Sequence, residues 1–153
     1  MKRERKPRGG RSTTPDPKRE DTCLACGAHM RARRGQLDFA VNGERVRVAG
    51  IAHLKCPKCG EGMLSASALG ELQSRAHAVY RNRHALLAPA EIRAIREKYG
   101  LTQAQLARLL RLGGNTLSRW EAGRNVQTAA MDVLLRLLRD LPASLQYLKR
   151  HAA

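Results

Sequence analysis

Four cysteines stand in two pairs, Cys23-Leu-Ala-Cys26 and Cys56-Pro-Lys-Cys59, with 29 residues between the pairs. Two thiolates at this spacing reach one tetrahedral ion, and the glycine after each pair, Gly27 and Gly60, permits the tight turn beneath it. Two such knuckles form a closed site of four sulfur ligands. Cys23, Cys26, Cys56 and Cys59 are therefore expected to hold one structural Zn2+ per chain. Four protein ligands leave no position for water or substrate, and a redox Cys-x-x-Cys needs a βαβ setting that the sequence does not offer. His29 and His53 lie near the knuckles but are not needed by an all-cysteine site, and they read as surface or packing residues.

A second stretch, residues 101–123, offers recognition rather than catalysis. Thr102 followed by Gln105 is a capping box that starts a helix, and Leu106, Leu109 and Leu110 give it a buried stripe. Gly113 and Gly114 then supply a turn, and a second short helix runs to about Ala122, with Gly123 as its stop. On that helix Leu117 and Trp120 share one face, while Gly114, Asn115, Ser118 and Arg119 line the opposite edge. Asn and Arg read adenine and guanine edges bidentately in a major groove, and a neighbouring Ser commonly takes a phosphate. Asn115 and Arg119 are thus the expected base-reading pair, with Trp120 as the core anchor behind them. No convergent acid, base or nucleophile set stands elsewhere, so the chain is not expected to be an enzyme.

The elements that position these residues follow from patterning. Asn42-Gly43 is a type I′ hairpin signal that sets Phe39 opposite Val46, Leu37 opposite Val48, and Asp38 opposite Arg47. Ile51, Ala52 and Leu54 are expected to form a third short strand leading into the second knuckle. A helix from Ala66 to about Leu87, with Leu69, Leu72, Ala76, Val79 and Leu86 near one side, reads as a linker that Pro89 ends. Ile92, Ile95 and Tyr99 mark the next helix, which Gly100 closes. Met131, Leu134, Leu135, Leu138 and Leu141 mark a helix that Pro142 stops, and Leu145 and Leu148 mark one more. These last two offer more apolar surface than so small a domain can cover, which points to a homodimer through the C-terminal domain.

The fold expected is α+β: a basic disordered tail over 1–20, a zinc-knuckle β domain over 21–64, a helical linker over 65–88, and a five-helix, all-α helix-turn-helix domain over 89–153. Composition agrees. Aromatic residues make up only 3% of the 153 residues, which argues against a large single core. A formal net charge of +16, spread along the whole chain, suits a polyanionic partner such as double-stranded DNA. No apolar run of about 18 residues suggests a membrane span, and no apolar region follows the charged N-terminus as in a secretory signal. A cytoplasmic location follows as an expectation, and in that reducing setting four cysteines favour metal over disulfides.

With Gln103 opening the first of its two helices and Ser118-Arg119-Trp120-Glu121 in the second, the 101–123 stretch resembles the Xre or Cro-like helix-turn-helix class. The full order of paired knuckles, small sheet, helical linker and Gly-Gly-Asn before the recognition residues resembles the MqsA-type antitoxins with a YgiT-type zinc finger, over about residues 21–150. The resemblance implies zinc on Cys23, Cys26, Cys56 and Cys59, base reading by Asn115 and Arg119, and phosphate contact by Gln103, Thr116 and Ser118. It further implies a C-terminal domain that dimerises on a palindromic operator, repressing its own operon, and an N-terminal domain that neutralises an MqsR-type ribonuclease toxin stoichiometrically. A stand-alone, zinc-stabilised regulator without a toxin is the alternative, because its DNA-reading residues would be the same.

Overall fold

The computed structural model describes residues 21–151; the expected basic tail, 1–20, lies outside them. The elements run β1 (Arg31–Val41), β2 (Glu44–Lys55), β3 (Gly62–Met63), α1 (Ala66–Arg83), α2 (Pro89–Lys98), α3 (Gln103–Leu109), α4 (Thr116–Glu121), α5 (Ala129–Asp140) and α6 (Pro142–His151). The class is α+β, with a three-stranded sheet in the order β1-β2-β3. Ile51, Ala52 and Leu54 do not open a strand of their own. They continue β2, and the third strand is β3, which pairs antiparallel with β2 through Leu54–Met63 and Lys55–Gly62. The continuation is possible because Gly50, just before Ile51, takes a positive φ of 72° within the strand instead of ending it.

The chain divides into two compact units, one built from residues 21–33 and 53–63, the other from 34–52 and 64–151. The first has little to bury: Cys23, Met30 and Cys56, with Cys26, Ala28, Leu54 and Met63 packed around them. A core of that size does not hold a fold alone.

In the second unit the hairpin turns as its sequence dictates, with Asn42 and Gly43 both at positive φ, 48° and 83°. Alternation then puts Val41, Val46 and Val48 on one face, the positive φ at Gly50 shifts the alternation so that Ile51 joins them, and all four pack with Leu72 and Ala76 of α1 and with Val126. On the outer face Arg47 Nε donates to Asp38 Oδ1 at 3.0 Å. Ser65 caps α1 by accepting from the Ala68 amide at 3.2 Å, and the helix ends at Arg83, earlier than its leucine pattern suggested. The stop is Ala85 at φ 50°, where the Ala85 and Leu86 amides donate back to the Asn82 and Arg81 carbonyls in a Schellman motif.

Helices α2 to α6 surround a second core of Leu87, Ile92, Ile95, Leu106, Ala107, Leu110, Leu117, Trp120, Leu135, Leu138 and Leu145. Thr128 caps α5 by accepting from the Met131 amide, Leu141 closes it, and Pro142 opens α6, where its missing amide costs nothing. Among the described residues no helix is long and apolar enough to cross a membrane.

Candidate metal centre and nucleic-acid interface

Both knuckles fold the same way. The Gly27 amide donates to the Cys23 carbonyl at 2.8 Å and the Gly60 amide to the Cys56 carbonyl at 3.1 Å, with both glycines at positive φ. The Cys23 and Cys56 amides in turn donate to Ala28 and Glu61 carbonyls at 2.9 and 2.8 Å. This repeated turn brings Cys23 Sγ to 3.5 Å from Cys59 Sγ and Cys26 Sγ to 3.5 Å from Cys56 Sγ, with all four sulfurs within 4.8 Å of one another. A tetrahedral ion with metal–sulfur bonds of about 2.3 Å needs sulfurs about 3.8 Å apart, so the donor set and its spacing fit a thiophilic metal. Neither His29 nor His53 belongs to the cluster.

The thiols of Cys56 and Cys59 are shifted in opposite directions. The Cys59 backbone amide, helped by that of Lys58 and against burial, brings Cys56 down to about 6. The Glu61 backbone would lower Cys59, but the Cys23, Cys56 and Cys26 thiols together push it up to about 12. A thiolate at Cys56 is easily accommodated and one at Cys59 is resisted. A divalent cation reverses that resistance by binding the sulfurs as thiolates, which couples its affinity to folding.

In the helical part the capping box forms as read. The Gln105 amide donates to Thr102 Oγ1 at 3.2 Å, and the Thr102 amide donates to Gln105 Oε1 at 2.8 Å. The turn after α3 differs from expectation. Its left-handed residue is Arg111, at φ 53°, and neither Gly113 nor Gly114 adopts a positive φ. The Arg111 and Leu112 amides close a Schellman motif on the Arg108 and Ala107 carbonyls at 3.0 and 2.8 Å, which satisfies the helix end without glycine.

Helix α4 presents the predicted division. Leu117 and Trp120 are buried in the core, and Asn115 and Arg119 are exposed, one turn apart on the opposite edge. Asn115 occupies the N-cap position without a side-chain capping hydrogen bond. Thr116 and Ser118 are half-buried, and the Ser118 hydroxyl donates to the Asn115 carbonyl at 3.0 Å. Gln103 is not simply a surface polar residue, because its Nε2 donates to Glu121 Oε2 at 2.9 Å.

That bond belongs to a network the sequence reading missed. The Glu121 side chain, 1% exposed, accepts from Arg96 Nε at 2.7 Å and Arg96 Nη2 at 2.9 Å, with Arg93 Nε 3.7 Å away. Burial alone would raise the Glu121 pKa, but hydrogen bonds from Arg96 and Gln103 and the arginine charges hold it below the ordinary carboxylate value. Arg96 also donates to the Leu101 carbonyl at 3.1 Å. One guanidinium therefore ties α2 to the start of α3 and to α4. It also leaves Arg119 without Glu121 as a partner, although the two lie close in sequence. A separation of 25 residues between Arg96 and Glu121 gave no local signal. A second buried set joins the Leu87 amide to Asp132 Oδ1 at 2.7 Å, and Gln127 Nε2 to the Leu87 carbonyl at 2.8 Å.

Two comparisons bear on the whole. Residues 21–149 match the family described as the antitoxin component of bacterial toxin-antitoxin systems, MqsA. Over 79 residues the chain is 33% identical to Antitoxin HigA-2 of Vibrio cholerae serotype O1 (strain ATCC 39315 / El Tor Inaba N16961), covering 52% of this chain and 76% of that protein. The match spans both the cysteine cluster and the helices carrying Asn115 and Arg119, and on it the chain belongs to the MqsA family of antitoxins.

Proposed function

We propose that this antitoxin is also a sequence-specific DNA-binding repressor of its own operon, with α4 as the recognition helix. The observation that carries the reading is the division of α4 into a fully buried Leu117–Trp120 side and an exposed edge bearing Asn115 and Arg119. A helix held this firmly from behind presents two base-reading side chains without spending binding free energy on ordering them. Thr116 and Ser118 are assigned to phosphate contact beside them, and Gln103 adds its contact from a position fixed by Glu121. The mechanism is stoichiometric binding, with no reaction performed.

A palindromic operator needs two copies, and α5 and α6 leave Val133, Leu137, Leu141 and Tyr147 exposed, each by at least 42%. We assign this face to the homodimer, which would set two α4 helices about 34 Å apart in successive major grooves. In the first unit the four cysteines are assigned to Zn2+, which would supply the cross-link that a core of three buried residues lacks, and this unit is assigned to the cognate MqsR-type toxin.

Arg119→Ala tests the reading of α4. On an operator duplex taken from the region upstream of the gene it is expected to cost about 1–3 kcal/mol and to relax preference at one base pair. Equal losses on operator and scrambled duplex would refute base reading. Co-expression of the tagged chain with the product of the adjacent reading frame tests the toxin assignment. Co-purification at a fixed ratio supports it, and no partner with no growth inhibition leaves a stand-alone regulator.

A further inference from the structure

Helix α4 ends in a loop that is held from an unexpected side. Gly123, at φ 72°, is the left-handed residue of the terminating motif, and the Arg124 amide donates to the carbonyl of Arg119 at 2.9 Å. The loop that follows therefore touches the backbone of a proposed base-reading residue. Val126 packs in the core formed by the hairpin and α1, beside Val41, Val46, Val48, Ile51, Leu72 and Ala76. From α1, Arg81 Nη2 donates to the Asn125 carbonyl, and His77 is buried one turn earlier on the same helix.

These two side chains are unusual tenants of a core. Arg81 is 5% exposed and His77 7% exposed. Among the described residues Arg81 makes no salt bridge, and its Nε, like His77 Nδ1, is buried without a hydrogen-bond partner. A buried guanidinium compensated by one carbonyl is costly, and an apolar side chain of similar length would serve stability at least as well. What an apolar residue would not supply is the bond that fixes Asn125.

We propose that α1 and the hairpin are part of the DNA-reading apparatus, with Arg81 as the positioning residue that sets the pose of α4 by clamping the Gly123–Val126 loop. The inference rests on the reading of α4 as a recognition helix. Burial holds His77 below the ordinary histidine pKa, so its ring is neutral at pH 7 and adds no second charge beside Arg81. Without the clamp α4 keeps its core anchors, Leu117 and Trp120, and the bonds to Glu121, but the loop that closes on the Arg119 carbonyl is released, and Arg119 gains freedom to shift. Phosphate contacts tolerate such a shift, whereas bidentate base contacts do not.

The test is Arg81→Met in the full, zinc-loaded chain. Operator affinity is measured against a scrambled duplex of equal length, thermal unfolding is followed, and amide hydrogen exchange is read in the DNA-free protein. The expected result is a loss of operator affinity of about tenfold with scrambled-duplex affinity changed less than twofold. The melting temperature should be unchanged or higher, and exchange should accelerate from Gly123 to Val126 but not in α2 or α3. A lowered melting temperature with equal losses on both duplexes overturns the proposal, because it describes a merely structural residue. Unchanged exchange in the loop also overturns it, whatever the DNA result. Val126→Ala loosens the same loop without removing a charge, and it carries the same expectations for exchange and specificity should Arg81→Met fail to fold. If the unaltered chain itself does not distinguish operator from scrambled DNA, the recognition-helix reading falls, while the exchange measurement still decides whether the clamp exists.

Discussion

Arg96→Met would strand the carboxylate of Glu121. In the intact protein Arg96 supplies two of its three close donors, at 2.7 and 2.9 Å, and Gln103 supplies the third at 2.9 Å. The Glu121 side chain is only 1% exposed, so water does not replace the lost guanidinium. Removing one member of a buried pair costs about 3–5 kcal/mol. Gln103 remains, and Arg93 lies 3.7 Å away with a side chain 55% exposed, so the lower end, about 3 kcal/mol, is expected. At about 3 °C per kcal/mol for a chain of this size, the melting temperature should fall by about 10 °C. Trp120 is the sole tryptophan and is buried on the same helix as Glu121, so its fluorescence during urea unfolding in fixed excess Zn2+ reports this unit. The sign of the pH dependence follows from the lowered Glu121 pKa. A carboxylate whose pKa is depressed by folding stabilises the fold above its ordinary value of about 4.3 and loses that contribution as pH falls. The gap between variant and parent should therefore be full at pH 7 and narrow toward pH 4. Arg96→Met with Glu121→Leu should recover most of the loss, because it leaves no uncompensated charge. A double variant no more stable than the single, or a gap that widens in acid, would refute the reasoning.

Removing metal with a chelator should unfold residues 21–33 and 53–63, whose core is small, while Trp120 fluorescence and the helical signal persist, since the cores of the second unit contain no cysteine; simultaneous loss of both would contradict the division. Arg111→Gly should stabilise by about 1 kcal/mol, because glycine takes the left-handed cap conformation without a Cβ penalty and the bond lost, Arg111 Nη2 to the His151 carbonyl, is exposed. Thr128→Ala should destabilise by about 1 kcal/mol in the same thermal assay by removing the α5 cap.

Local chemistry was legible residue by residue. The cysteine spacing with Gly27 and Gly60, the Asn42-Gly43 turn, the Thr102–Gln105 box and the two-sided pattern of α4 each depend on side chains a few positions apart, and each stands in the structure as read. The helix stops were read less well. A search for glycine finds Gly100 and Gly123 but passes over Ala85 and Arg111, which adopt the same left-handed conformation because the surrounding packing pays for it.

The sequence by itself thus determined where most helices and strands lie and which four cysteines come together, since periodicity, capping and ligand spacing act over a few residues. Only the tertiary structure decided what those segments lie against. The hairpin, Leu72 and Ala76 of α1 and Val126 share one core although Val41 and Val126 stand 85 positions apart. Arg96 meets Glu121, Arg81 meets Asn125, and Gln127 meets Leu87 across 25, 44 and 40 residues. Such pairs leave no periodic trace, because a buried polar group is satisfied by whichever partner the folded chain brings near and not by its neighbours in sequence.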